Sequence, residues 1–183
     1  MARKIDDDKI QRIKQATMQT IVENGIESTT IAMIAKNADV SGGYLYRIYE
    51  GKQDLINNLF YDKVNSLYKE LEFLLGLNQT SIEPLIKSFV QNRVVYYLNE
   101  PIASKFFYQL LHNDNFTITS NLKDKSMLLM ESIKDIGVKS GEISNSLSIY
   151  KLYNHIFVYP VNYISFKRQN IFDGQEPTNE DWL

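Results

Sequence analysis

Two short apolar segments separated by a break constrain this chain most. They lie in Thr29 to Leu55, TTIAMIAKNADVSGGYLYRIYEGKQDL. Ile31, Ile34, Ala35 and Ala38 recur at i, i+3, i+4 and i+7, one apolar face of a short helix. Thr29 or Thr30 is placed to cap its start, a hydroxyl accepting a backbone N–H that lacks an intrahelical partner. Ala38-Asp39-Val40 interrupts the pattern, and Asp is one of the few non-glycine residues that enter the left-handed conformation cheaply. Ser41 then caps a second helix of about two turns, with Leu45 and either Ile48 or Tyr49 facing inward. Two such helices joined by three or four residues predict a helix-turn-helix.

In that unit the second helix can lie in the DNA major groove with its N-terminal residues at the base edges. Gly42 and Gly43 each cost roughly 1 kcal/mol against Ala in a helix interior. That cost is reasonable where a backbone must approach another surface closely. Tyr44, Tyr46, Arg47 and Lys52 add hydroxyl, guanidinium and ammonium donors for bases and phosphates. Tyr44 and Arg47 are the candidates for reading bases, and Thr30 is one for phosphate. The competing reading of the same spacing is a surface helical hairpin with ordinary tyrosines.

The run also resembles the DNA-binding segment of tetracycline-repressor-type (TetR family) regulators. The resemblance is carried by Gly25, Thr30, Ile34-Ala35, Ala38, Val40-Ser41, Gly43, Leu45-Tyr46, Tyr49, Lys52 and Leu55. Asp39 stands where the family usually has Gly, Tyr49 where it has Phe, and Gly51 where a small capping residue such as Ser is common. The last departure weakens the cap of the following helix. The resemblance implies an N-terminal three-helix head and a C-terminal helical domain that binds a small effector and forms the dimer. It also supports Tyr46 and Lys52 as phosphate contacts.

The rest of the chain agrees with an all-α fold. Asp6-Asp7-Asp8 places negative charge at the positive end of a first helix. Ile10, Ile13, Thr17, Met18, Ile21 and Val22 form its apolar face, and Gly25 ends it. Arg3 and Lys4 precede it, as an arm reaching DNA or as a solvated tail. Residues 1–51 form the DNA-binding head, 52–75 a long connecting helix, and 76–183 a helical ligand-binding and dimerisation domain. The connecting helix keeps Ile56, Phe60, Val64, Leu67, Leu71 and Leu74 at helical spacing, and a loop follows from Gly76 to Ser81. Pro84 opens the next helix, and Asn99-Glu100-Pro101 separates it from one carrying Ile102, Phe106, Phe107 and Leu110. A further helix carrying Leu122, Leu129 and Ile133 stops at Gly137, and the Gly137 to Ile143 turn again resembles the family. The stretch Ser146 to Gln169 is apolar nearly all round, which requires burial on more than one side. Pro160 within it should kink or break the helix.

Phe89, Arg93, Tyr96, Phe106, Phe107, Tyr153 and Phe157 are the candidate ligand-binding residues, and Tyr108, Gln109, His112, Asn154 and His155 offer further polar or aromatic groups. The expected ligand is aromatic or amphipathic with few charges. Aromatic residues at this spacing equally suit a filled core. The dimer is expected to form through the Ser146–Gln169 helix and the C-terminal tail. Pro177 to Leu183 reads as a capped helix start, so the dimer either relies on a short tail or the last helix is cut short.

Composition limits the alternatives. At 44% hydrophobic and 23% charged residues the chain is globular in type. The N-terminus has no apolar signal-peptide core, and His155 to Phe166 is too short and polar to span a bilayer. A cytoplasmic protein with no membrane partner is expected. With no cysteine there is no disulfide framework or thiol nucleophile. His112 and His155 stand far apart with no ligand-type cluster, so no metal or cofactor is expected. No nucleophile elbow, phosphate loop or paired-carboxylate motif supports an enzyme. The net charge of −2 is unusual for a nucleic-acid binder, so binding must depend on where Arg3, Lys4, Lys36, Arg47 and Lys52 sit. Together with these residues, the family resemblance implies a homodimeric regulator, a repressor, that binds a palindromic double-stranded operator and is released by a small molecule. The alternative is a non-inducible DNA-binding or adaptor protein on the same fold.

Overall fold

The computed structural model describes residues 7–77 and 80–171, and among these all regular structure is helical. None of the described helices is long and apolar enough to cross a membrane. The tail from Pro177 and the Arg3-Lys4 arm lie outside the described residues. The chain divides into two compact units, Met1–Val64 with Ile102–Asn113, and Asn65–Pro101 with Asp114–Leu183.

The first unit is built on α1 (Asp7–Asn24), α2 (Ile31–Asn37) and α3 (Gly42–Tyr46). Gly25, at φ 80°, ends α1, and its N–H bonds the Ile21 carbonyl at 2.8 Å. Ile13, Ile34, Leu45 and Leu55 are fully buried and form one core with Ala16, Ile31, Ala35, Ala38 and Tyr49. Burial of such side chains contributes about 1.5–3 kcal/mol each, which holds helices too short to persist alone. A polar tie accompanies this core. Thr20 bonds back to the Ala16 carbonyl, and Asn37 Nδ2 donates to Thr20 Oγ1 at 2.9 Å. Thr29 Oγ1 donates to the Gly25 carbonyl at 2.8 Å.

Helix α4 (Lys52–Leu77) runs past Gly76 instead of stopping at 75. Its residues to Val64 belong to the first unit and those from Asn65 to the second. The weak cap at Gly51 is offset by Asp54, whose carboxylate accepts the Glu50 N–H at 3.1 Å. Helix α5 (Glu83–Asn99) has Pro84 in its first turn, and α6 (Pro101–Leu111) follows. Most of α6 belongs to the first unit, so the units cut the chain differently from the 1–51, 52–75 and 76–183 division.

In the second unit α7 spans Ser120–Ser140 and ends on Gly141 at φ 77°. Gly137 is therefore not the stop expected from sequence. It sits inside α7, where a Cβ would lie 2.5 Å from Ile82 Cδ1 and 2.9 Å from Ile143 Cγ1. Its role is close packing, and Gly141 supplies the left-handed cap. Ser148 caps α8 (Ile149–Tyr153). The expected single helix then divides into a π-helical turn, Asn154–Val158, and α9 (Tyr159–Arg168). Pro160 lies in the first turn of α9; it donates no hydrogen bond and its ring crowds the preceding turn, and the widened turn accommodates it. Burial in α8–α9 is on one side more than all round. Leu152, Ile156, Val161 and Ile164 are buried, whereas Tyr150, Tyr159 and Phe166 are exposed.

Candidate nucleic-acid interface

The helix-turn-helix is set by two hydroxyl caps and one left-handed residue. Thr30 Oγ1 accepts the Met33 N–H at 3.2 Å, and Ser41 Oγ accepts the Tyr44 N–H at 3.2 Å. Each satisfies one orphan donor at a helix start. Asp39 adopts φ 53° and turns the chain between the helices, and its carboxylate meets Arg12 at 3.3 Å. Helix α3 has five residues, shorter than the two turns expected, because two glycines weaken it and the chain leaves the helix after Tyr46.

The candidate residues separate by exposure. Ser41, Gly43, Tyr46 and Arg47 are exposed, with Tyr46 at 63%. A Cβ added at Gly42 or Gly43 meets nothing within 4 Å, so internal packing does not demand glycine at either position. Lys52 is engaged within the head, its ammonium donating to the carbonyls of Ile26 at 2.7 Å and Glu27 at 3.2 Å. Its third N–H is available for a phosphate.

Tyr44, a base-reading candidate, is half-buried. The ring packs against the head core, and its hydroxyl is buried with no hydrogen-bond partner among the described residues. The Arg47 guanidinium lies 4.7 Å from the ring centroid and the Lys9 ammonium 5.5 Å from it. Lys9, in the first turn of α1, was not among the residues singled out from sequence. Two other cations of the head pair with carboxylates, Arg12 with Asp39 and Lys14 with Asp62.

The candidate ligand residues fall into two groups. Phe106 and Phe107 belong to the first unit, where Phe107 meets Phe60 with centroids 6.5 Å apart. Phe89, Arg93, Tyr96, Tyr153 and Phe157 belong to the second. There Phe157, carried by the π-helical turn, meets Tyr153 at 5.0 Å, Phe89 at 5.5 Å and Tyr68 at 6.1 Å. Tyr68 is an addition that its place on the apolar face of α4 could have suggested; its hydroxyl bonds Ser126 and the Leu122 carbonyl. Burial raises the Tyr68 and Tyr153 phenol pKa values, so both stay neutral donors. Arg93 is buried, stacks 5.1 Å from the Phe89 centroid and pairs with Glu70, which also accepts from Asn92 at 2.9 Å. Its Nε has no partner among the described residues.

Residues 13–59 match the family model described as bacterial regulatory proteins, tetR family. This segment is a TetR-family DNA-binding domain. All the candidate DNA-binding residues lie inside the matched span, and none of the candidate ligand-binding residues does. The chain is 25% identical over 157 residues to the fatty acid metabolism regulator protein of Bacillus subtilis (strain 168), covering 77% of this chain and 74% of that one. Two solved structures share the fold. The transcriptional regulator FadR from Bacillus subtilis, in complex with stearoyl-CoA, has a TM-score of 0.70 at 19% identity, over 93% of this chain and 91% of that one. A TetR family transcription regulator from Marinobacter aquaeolei VT8 has a TM-score of 0.75 at 19% identity, over 97% and 91%. With that domain at its head and a curated regulator as a relative, the chain is a DNA-binding transcriptional regulator.

Proposed function

We propose that the chain is a homodimeric repressor that binds a near-palindromic operator and is released by a fatty-acyl effector. The observation that carries the DNA-binding part is the doubly capped helix-turn-helix presenting Ser41, Gly43, Tyr46 and Arg47 to solvent. Ser41 and the exposed glycine backbone approach the duplex at the start of α3, Arg47 reads or clamps the groove, and Thr30, Tyr46 and Lys52 bond phosphates. Exposed Tyr150, Tyr159 and Phe166 on α8–α9 support a partner copy there. The protein acts in the cytoplasm and carries out no catalytic step.

The acyl part rests on two Bacillus subtilis proteins, a relative whose name refers to fatty acid metabolism and a structural neighbour solved with stearoyl-CoA. The aromatic group around Phe157, with Phe89, Tyr96 and Tyr153, suits an acyl chain, and Arg93 suits a polar end. The effector favours the state whose two heads are wrongly spaced for DNA, with α4 as the lever, so acyl and DNA affinities are coupled reciprocally.

The non-inducible reading is kept by one observation: Phe89 is fully buried and its neighbouring rings already pack edge to face. Fluorescence anisotropy of a bound duplex, titrated with stearoyl-CoA, free stearate and CoA separately, decides between them. Release by the acyl thioester, with a matching loss of acyl affinity when DNA is present, supports induction. Unchanged DNA affinity with all three leaves the non-inducible regulator.

A further inference from the structure

The Tyr44 ring is held by packing against the head core, its hydroxyl is turned away from solvent and unbonded among the described residues, and two cations from different helices rest on it. A hydroxyl so placed has nothing to offer a base edge. A fixed aromatic face with a guanidinium 4.7 Å from its centroid has a different use. Arg47 lies three residues after Tyr44, on the same side of α3, and at the C-cap of that helix its exposed side chain would otherwise sample many rotamers. Lys9 reaches the same ring from the first turn of α1.

We propose that Tyr44 is a positioning residue that holds Arg47 and Lys9 as a preformed cationic pair for DNA and reads no base itself. This rests on the DNA-binding reading above. A ring attracts a cation through its quadrupole. It can therefore gather two like charges that would otherwise repel, in a head with little excess of positive charge. Ordering Arg47 before the duplex arrives removes part of the ordering penalty of binding. For one long side chain that penalty corresponds to roughly two- to tenfold in affinity per head.

The test uses the full chain and the duplex that it enriches from a random-sequence pool, with Tm recorded for every variant. Tyr44→Phe keeps the face and loses the buried hydroxyl, so affinity stays within about twofold with the same preferred bases. Tyr44→Leu keeps apolar packing without the quadrupole and binds roughly two- to tenfold more weakly per head, whatever the flanking sequence. In a chain already carrying Lys9→Ala and Arg47→Ala, Tyr44→Leu adds less than about twofold, because there is no cation left to position. In the free wild-type protein the Arg47 δ-proton resonances are shifted upfield by the ring current, a readout that needs no variant to fold.

A Tyr44→Leu loss equally large in the doubly substituted background would mean that the ring only fills space. A change of preferred bases in Tyr44→Phe would mean that the hydroxyl reads DNA. Either result, or unshifted Arg47 resonances, overturns the proposal while leaving the regulator reading intact. Failure of the wild-type chain to enrich any duplex overturns both.

Discussion

Ser41 separates two duties that the helix-turn-helix places on one side chain. It caps α3 through the Tyr44 N–H at 3.2 Å, and α3 has only five residues, two of them glycine. Each glycine weakens a helix by roughly 1 kcal/mol against Ala, so the cap and the burial of Leu45 carry this helix. Removing the cap with Ser41→Ala should cost about 1 kcal/mol, a Tm decrease of roughly 2–4 °C for a chain of this size. Ser41→Asp keeps the capping oxygen and favours the positive end of the helix, so Tm should hold. It also places a carboxylate at the proposed phosphate surface. Two like charges ~5 Å apart repel by roughly 1–3 kcal/mol between water-like and surface-like dielectric, so DNA affinity should fall about five- to a hundredfold per head. Circular dichroism melts and anisotropy on one duplex read the two effects separately. An unchanged Tm in Ser41→Ala refutes the cap, and wild-type DNA affinity in Ser41→Asp refutes the placement of the α3 start against the duplex.

The remaining predictions concern charge and packing elsewhere. With Arg12 and Lys14 already paired to Asp39 and Asp62, few phosphates are neutralised, and log K against log salt should be shallower than about −10 per dimer; a steeper slope in a salt titration contradicts this. Lys52→Ala should lower both Tm and affinity for all sequences alike, since Lys52 ties the Ile26 and Glu27 carbonyls and is proposed to bond a phosphate; a loss confined to one sequence argues otherwise. Gly137→Val forces new atoms against Ile82 and Ile143 and should cost about 1–3 kcal/mol, read as a lower Tm; an unchanged melt shows that the neighbours yield freely. Glu142 accepts from the Ser140 and Ser81 hydroxyls and from the backbone N–H groups of Ile82 and Glu83, which hold its carboxyl down at about 2 against an ordinary 4.5. Because the folded state binds this proton less readily than the unfolded one, the contribution is full above the ordinary value and is lost as pH falls from there towards about 2; Glu142→Gln should flatten that part of a Tm-against-pH profile, and an unchanged profile denies the role.

Local chemistry was legible in the sequence, and long-range chemistry was not. Thr30, Asp39 and Ser41 could be placed because a cap or a left-handed turn is decided within three or four residues. Gly137 was misread as a stop because a packing glycine and a C-cap glycine have the same signature along the chain; Ile82 and Ile143 distinguish them in space. The cap of α5 is likewise invisible locally. Ile82 offers no side-chain oxygen, and the acceptor comes from Glu142, 60 positions later. Tyr44 is a DNA candidate by residue type, and its packing against the head core with a buried hydroxyl depends on contacts that lie far apart along the chain. The aromatic content of the ligand residues was visible, but not that Phe106 and Phe107 would fall in a different unit from Phe89 and Phe157.

The head is proposed to bind a two-fold operator through α3. Incubating the chain with a random duplex pool, recovering bound DNA and sequencing it tests this most directly. The expected result is an enriched inverted repeat whose half-site centres lie roughly one helical turn, ~34–36 Å, or a multiple apart, with enrichment lost in Ser41→Asp. Recovered sequences no different from the input pool, or an enrichment that Ser41→Asp leaves untouched, would contradict it.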